Sequence, residues 1–278
     1  MAMNSVNTNI GAQVALQSLN RTNDALATTQ KRVSTGFRVA DAKDDGAAFA
    51  VAQSVRSDIA GLTSANEQMG SVQGILDTTL AGLNKVSETM TSIRSVLVKL
   101  ADGTLSESQR DQYETQYESL RSQVTNFITD ATYNGRTLLG TDTAGGGGDI
   151  ATTRNEQATT YTLAAVDAAT SLVVDVAPTD AAAAGSYLAS GGDFGTKMAA
   201  VNTALNTFGA DSNYLQSQIS YNKEKLDALE TGLGSLIDAD LAKESARLQA
   251  LQIRQQLGTQ ALGIANQSPQ QLLSLFKG

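Results

Sequence analysis

The sequence predicts a mainly α-helical protein. Long heptad-patterned helices from both halves of the chain should pack as a bundle or coiled coil, with a small β-containing or irregular insertion between them. Three observations carry this. In the first half Val55, Leu62, Met69, Leu76, Leu83, Met90 and Leu97 recur every seven residues, the mark of helices that bury one seam. In the second half Met198, Val201, Leu205, Phe208, Ser212, Leu215, Ile219, Asn222, Leu226, Leu229, Leu233 and Leu236 alternate at spacings of three and four. Between the two, the helical pattern stops at a stretch holding Gly145–Gly148, Pro178 and Gly191-Gly192.

The first element is a helix with its own heptad, Ala12, Leu19, Leu26 and Val33. The second runs from about residue 45 to 101. Three residues after each heptad position from Leu62 onward stand Ala65, Val72, Thr79, Val86, Ile93 and Leu100, which complete the a/d pair. Glycines at 61, 70, 74 and 82 should weaken this helix by roughly 0.5–1 kcal/mol each relative to Ala, and Asp102-Gly103 should end it. Thr104 with Glu107 has capping-box spacing for a third helix. Its stripe runs through Tyr113, Tyr117, Leu120, Val124, Phe127 and Ala131 to an Asn134-Gly135 turn. Within 141–195, Thr159–Val166 and Ser171–Ala177 read as strands able to pair as a hairpin in a weakly structured surface insertion; a flexible linker is the alternative. Such a segment should be dispensable for assembly. The last helix carries Ala246, Leu248, Ala250, Ile253, Leu257, Ala261, Leu262 and Ile264, and Pro269 should stop it before the apolar tail Leu272–Phe276.

The chain ends are unusual. Residues 1–20 and 255–276 contain no Asp, Glu, Lys or Arg, yet both keep an apolar stripe. Ends of soluble domains are ordinarily frayed and solvated. Ordering a backbone costs roughly 1–2 kcal/mol per residue, while each buried Leu-sized side chain returns roughly 1.5–3 kcal/mol. One thin stripe on an isolated helix falls short. These ends should therefore fold against each other and against neighbouring subunits.

Composition excludes several functions. The chain has 278 residues, no Cys and no His, so thiolate chemistry, disulfides and the usual neutral-pH general base are absent. A net charge of −8 disfavours nucleic acid and anionic membranes as partners. No apolar run is long enough to span a bilayer. The start MAMNSVNTNIGAQ has no secretory-signal pattern, which leaves the cytoplasm or a signal-independent exit. Asp41, Asp44 and Asp45 lie among Arg38 and Lys43 without metal-loop spacing, so no metal is expected there. No cofactor and no catalytic constellation is expected.

Four segments carry a family resemblance. Residues 33–52, VSTGFRVADAKDDGAAFAVA, resemble the flagellin stretch SSGxRI…AKDDAAGxAIA. Residues 132–139, TYNGRTLL, are similar to the family's FNGxxLL turn. DADLAKESARLQALQIRQQLGTQALGIANQSPQQLLSLF resembles the flagellin C-terminal helix, and NTNIGAQVALQSLNRTNDAL the N-terminal one. The resemblance implies a non-enzymatic subunit of the bacterial flagellar filament, exported unfolded through the flagellar type III channel and secreted into an extracellular homopolymer. It implies an export chaperone, a filament cap and hook-associated proteins as partners, and admits other flagellins in the polymer and O-glycans on Ser and Thr of 141–196. It also places Asp41, Asp44 and Asp45 at the link between inner and outer helices, where salt bridges between subunits are the expectation. A hook–filament junction protein is the alternative.

Five segments follow on this reading. They are inner-core helices over 1–35 and 236–278, bundle segments over 36–140 and 196–235, and the surface insertion over 141–195. The assembly interface would comprise Ala12, Leu19, Leu26, Val33, Leu248, Ile253, Leu257, Ala261, Leu262, Ile264, Leu275 and Phe276. The bundle core would comprise the seven heptad residues from Val55 to Leu97 together with Leu120, Val124, Phe127, Val201, Leu205, Phe208, Leu215, Ile219, Leu226 and Leu229.

Overall fold

A computed structural model describes the backbone of residues 8–275 and the side chains of 8–267. The elements in order are α1 (Ile10–Thr35), α2 (Gly46–Leu100), α3 (Glu107–Asp130), β1 (Ile150–Thr153), β2 (Thr160–Leu163), α4 (Ala168–Ser171), α5 (Ala181–Leu188), α6 (Asp193–Ile237) and α7 (Leu241–Leu275). The chain divides into two compact units, one of Met1–Ser57 with Ala228–Gly278 and one of Asp58–Asp227.

The 58–227 unit is built on the α2 heptad. Leu62, Met69, Leu76, Leu83, Met90 and Leu97 are all fully buried, as are Val86, Ile93 and Leu100 at the second seam position. Thr79 shares that seam without penalty because its hydroxyl donates to the Ile75 carbonyl at 2.8 Å, meeting its polar need within the helix. Tyr117 and Val124 of α3 and Val201, Phe208 and Leu215 of α6 close the core, with Leu120, Phe127, Leu205 and Ile219 half-buried around it. Leu226 is half-buried in this unit, and Val55 and Leu229 are half-buried in the other. Three of the five α2 glycines have a steric use. A Cβ at Gly82 would stand 2.7 Å from that of Ala131, one at Gly74 would meet the Tyr133 ring, and one at Gly61 would meet Glu156.

The structure corrects the sequence reading at four places. Helix α3 starts two residues later than Thr104 suggests: Ser106 is the N-cap, with Gln109 completing the capping box. Thr104 instead donates through its amide and its hydroxyl to Asp102, which holds that carboxyl below its ordinary range. Helix α7 does not stop at Pro269 but continues to Leu275.

The hairpin is also different. Strand β2 (160–163) pairs antiparallel with β1 (150–153), not with 171–177. Residues 174–177 still lie across α3, but side chains take the place of a sheet partner. The Arg121 guanidinium donates to the Val174 carbonyl at 2.9 Å and the Tyr117 hydroxyl to the Asp175 carbonyl at 2.8 Å. The Tyr187 hydroxyl donates to the Val176 carbonyl, and the amides of Asp175 and Ala177 donate to Asp193 and Glu118. Five backbone groups are thus satisfied without a ladder.

Finally, 141–195 is not a loose appendage. Ile150, Leu163, Ala168, Leu172, Val174 and Ala184 are buried in the same cluster as the α2 heptad. The glycine run is a tight crossing: the Gly147 amide donates to the Asp142 carbonyl at 2.8 Å, and a Cβ at Gly147 would stand 2.4 Å from the Gly140 oxygen.

Candidate assembly interface

The Met1–Ser57/Ala228–Gly278 unit holds the two uncharged segments. Asn9 caps α1: its side chain accepts from the Ala12 amide at 3.0 Å and donates to the Ala265 carbonyl of α7 at 2.7 Å. From there α1 and α7 run antiparallel. Leu19 lies over Gly258, where a Cβ would stand 3.2 Å from it. Gln255 donates to Asn23 at 2.8 Å, and Arg32 pairs with Glu244 at 3.1 Å.

This seam divides the sequence-derived set. Ala12, Leu19, Leu26 and Val33 of α1 are half-buried, and so are Leu248 and Leu262 of α7. Ile253, Leu257, Ala261 and Ile264 are on the exposed side of α7, Ile264 at 70% and Leu257 at 58%. Ile10, Val14 and Leu16 of α1 are likewise exposed. Leu275 is the last residue of α7, with its side chain outside the described residues, and Phe276 lies wholly outside them. The seam itself was missed as a unit. Glu244, Leu248, Leu251, Gln255, Gly258, Leu262 and Ala265 follow a 3–4 spacing that is legible only if Gly and polar residues are admitted to it.

The base of the pair is laced to the start of α2. Phe37 bridges Asp238, the amides of Arg38 and Val39 donate to the Ile237 carbonyl, and the Ala239 amide donates to the Gly36 carbonyl. Val39, Ala52 and Ile237 form a small core with Phe37, Phe49, Leu233 and Leu236 packed on it.

The aspartates expected to reach between subunits are used within the chain. Lys31 reaches Asp41 at 2.7 Å and Asp44 at 2.9 Å. Asp45 accepts from the Ala47 and Ala48 amides at the start of α2. Among the described residues no group of three or more acidic, His or Cys side chains is placed to hold a metal, and no helix is long and apolar enough to cross a membrane.

The clasp has a pH signature. The Lys31 hydrogen bond, then the Lys43 amide, hold Asp41 below its ordinary 3.8. Lys31 and then the Ala40 amide do the same for Asp44. The two carboxylates in turn raise Lys31 above 10.5. Depressed carboxylates contribute stability above their ordinary value and lose it as pH falls through the depressed one. The raised lysine contributes below its ordinary value and loses it only as pH rises through the raised one. The clasp should therefore be closed through neutral pH and open only in acid, as pH falls below the ordinary 3.8 and on through the depressed values. Lys31→Met should move the NMR-detected titrations of both carboxyls upward, and unmoved titrations would contradict the pairing.

Residues 6–143 match the bacterial flagellin N-terminal helical region and residues 193–276 the bacterial flagellin C-terminal helical region. The chain is 35% identical to Flagellin FljK of Caulobacter vibrioides over 280 residues, spanning the whole of both chains. It is 36% identical to a flagellin of Brucella melitensis over 289 residues, covering 99% of this chain and all of the relative. Among solved structures, a Vibrio parahaemolyticus protein described as flagellar hook-associated aligns with a TM-score of 0.58 at 16% identity, over 70% of this chain and all of the other. At that identity the likeness is one of fold alone. Two terminal helical regions matched in order, and full-length relatives at about a third identity, establish that the chain belongs to the bacterial flagellin family.

Proposed function

We propose that this chain is a structural subunit of the bacterial flagellar filament, polymerising with copies of itself and with other flagellins. The observation that carries the reading is the face left over after α1 and α7 pair. Ile253, Leu257 and Ile264, with Ile10, Val14 and Leu16, stay exposed on helices that carry no charge over residues 10–20 and 255–275. Apolar groups of this size contribute roughly 1.5–3 kcal/mol each once buried, and a face of the same chain is the economical partner in a symmetric polymer.

On this reading 1–35 and 236–278 form the inner core and line its channel, where a neutral polar surface does not retain a passing chain by charge. Residues 36–140 and 196–235 form the surrounding wall, and 141–195 faces outward, with Ser and Thr there open to O-glycans. The subunit is secreted unfolded through the flagellar type III route, handled by an export chaperone, and added beneath a cap to a filament that begins at hook-associated proteins. It works by assembly and not by catalysis. The test is polymerisation of purified chain onto sheared filaments, followed by negative-stain microscopy. Elongating seeds are expected; soluble chain that never adds to seeds would reject the reading.

A further inference from the structure

We propose that the pair of buried Asn222 and half-buried Asn66, held by the backbone carbonyl of Arg154, sets the register of α6 against α2 in the 58–227 unit. A seam of Leu, Val and Met at heptad spacing does not define its own register, because sliding one helix by a heptad presents the same kinds of side chain again. Asn222 interrupts that degeneracy. It takes a stripe position of α6 and is 1% exposed. Its amide nitrogen donates to Asn66 Oδ1 at 3.0 Å and to the Arg154 carbonyl at 2.9 Å, and its Oδ1 accepts from Gln218 at 3.0 Å. Both amide hydrogens are used only when Asn66 of α2 and the end of β1 are beside it. In a register slid by one heptad Asn222, which is buried, loses Asn66, and only Gln73, one heptad further along α2, stands in its place.

The hairpin turn reinforces the same alignment. Arg154 donates to the Tyr214 hydroxyl, Tyr161 to Asp211 at 2.6 Å, and Lys225 to Glu156 at 2.7 Å. With Gln218 and Asn222, the turn and β2 therefore meet α6 at five points spaced by three or four residues, along one face. Gly61 of α2 leaves the room that Glu156 occupies: a Cβ there would stand 3.1 Å from the Glu156 Cβ. The hairpin grips α6 as a rack, and Gly61 gives its turn a close approach to α2.

The chain has no cysteine, so introduced pairs report register directly. Gln73→Cys with Ser212→Cys stands where the glutamine tip reaches the serine at 2.7 Å; a short bifunctional thiol reagent restores the length that cysteine lacks and reports the native alignment. Gln73→Cys with Ile219→Cys reports a slide of one heptad. With both asparagines present, the reagent should link 73 to 212 and give about tenfold less of the 73–219 link. Adding Asn66→Leu and Asn222→Leu should preserve helical content while raising the 73–219 yield to a level comparable with 73–212. Asn66→Asp alone, which keeps the acceptor that Asn222 needs, should retain the native pattern.

Three results would overturn the proposal. One is a folded double-Leu variant that still links only 73 to 212. The second is N66D slipping as readily as the double-Leu chain. The third is loss of helicity in the double-Leu chain, which would mean that the pair holds the helices together and does not align them.

Discussion

Ile264→Asp should abolish polymerisation while leaving the free subunit folded. Ile264 is 70% exposed on α7, on the side away from the α1 seam. An Asp there costs the isolated chain only its lower helix propensity, at most about 0.7 kcal/mol. In a filament the same position would bury a carboxylate with no counter-ion, since no charged residue lies between 255 and 275 on α7 or between 10 and 20 on α1. An unpaired buried charge costs about 3–5 kcal/mol. At about 1.4 kcal/mol per factor of ten, that raises the critical concentration a hundredfold to several thousandfold. Leu257→Asp should behave alike. Leu262→Asp should differ, because Leu262 is half-buried; the helical signal of the free chain should fall as well. Seeded sedimentation combined with circular dichroism separates the cases. Normal filaments from Ile264→Asp would show that the exposed face is not an assembly contact.

Replacing residues 143–192 by a Gly/Ser linker should unfold much of the 58–227 unit. The sequence alone suggests the opposite, a dispensable surface loop. The structure places Ile150, Leu163, Leu172 and Val174 in the central cluster. At roughly 1.5–3 kcal/mol for each such side chain, their removal is comparable with the whole margin of about 5–15 kcal/mol that holds a domain folded. It also strips the partners from Arg121, Tyr117 and Glu118 on α3. The expected result is a broad, non-cooperative melt and dye binding to exposed apolar surface. Leu163→Ala alone should cost about 2–5 kcal/mol. A linker variant that melts sharply near the parent temperature would return the segment to a peripheral role.

The helices were legible because they repeat. From Leu62 to Leu97 the α2 heptad appears in the sequence as it appears in the core, and the bounds of α2 fall within one residue of the expected 45 and 101. Leu163 was placed in a strand correctly, but its partner was not. Ile150–Thr153 is four residues long and follows a glycine run, so it gives little period-2 signal. Residues 171–177 had the β-branched content of a strand and lack a ladder because Arg121, Tyr117, Tyr187, Glu118 and Asp193 supply its hydrogen bonds from distant points in the chain. No local pattern encodes that. At the interface, apolar spacing identified the stripes on both ends but did not separate the seam from the exposed face. That division depends on Gly258 and Gln255, whose roles appear only once α1 lies beside them.

The way residues 174–177 are held has a consequence for how this protein can diverge. The grip is on the main chain, through carbonyls and amides that every residue other than proline provides. The identities that matter sit on the holding side, in Tyr117, Glu118 and Arg121 of α3, Tyr187 of α5 and Asp193 of α6. Asp175 is exposed, Val176 is 61% exposed, and neither position is read by its side chain. The outward surface here can therefore be rewritten by point mutation without loosening its attachment, provided the helices beneath stay the same. An exposed segment held in this way gains a zone of neutral drift whose anchor is inherited separately from its appearance.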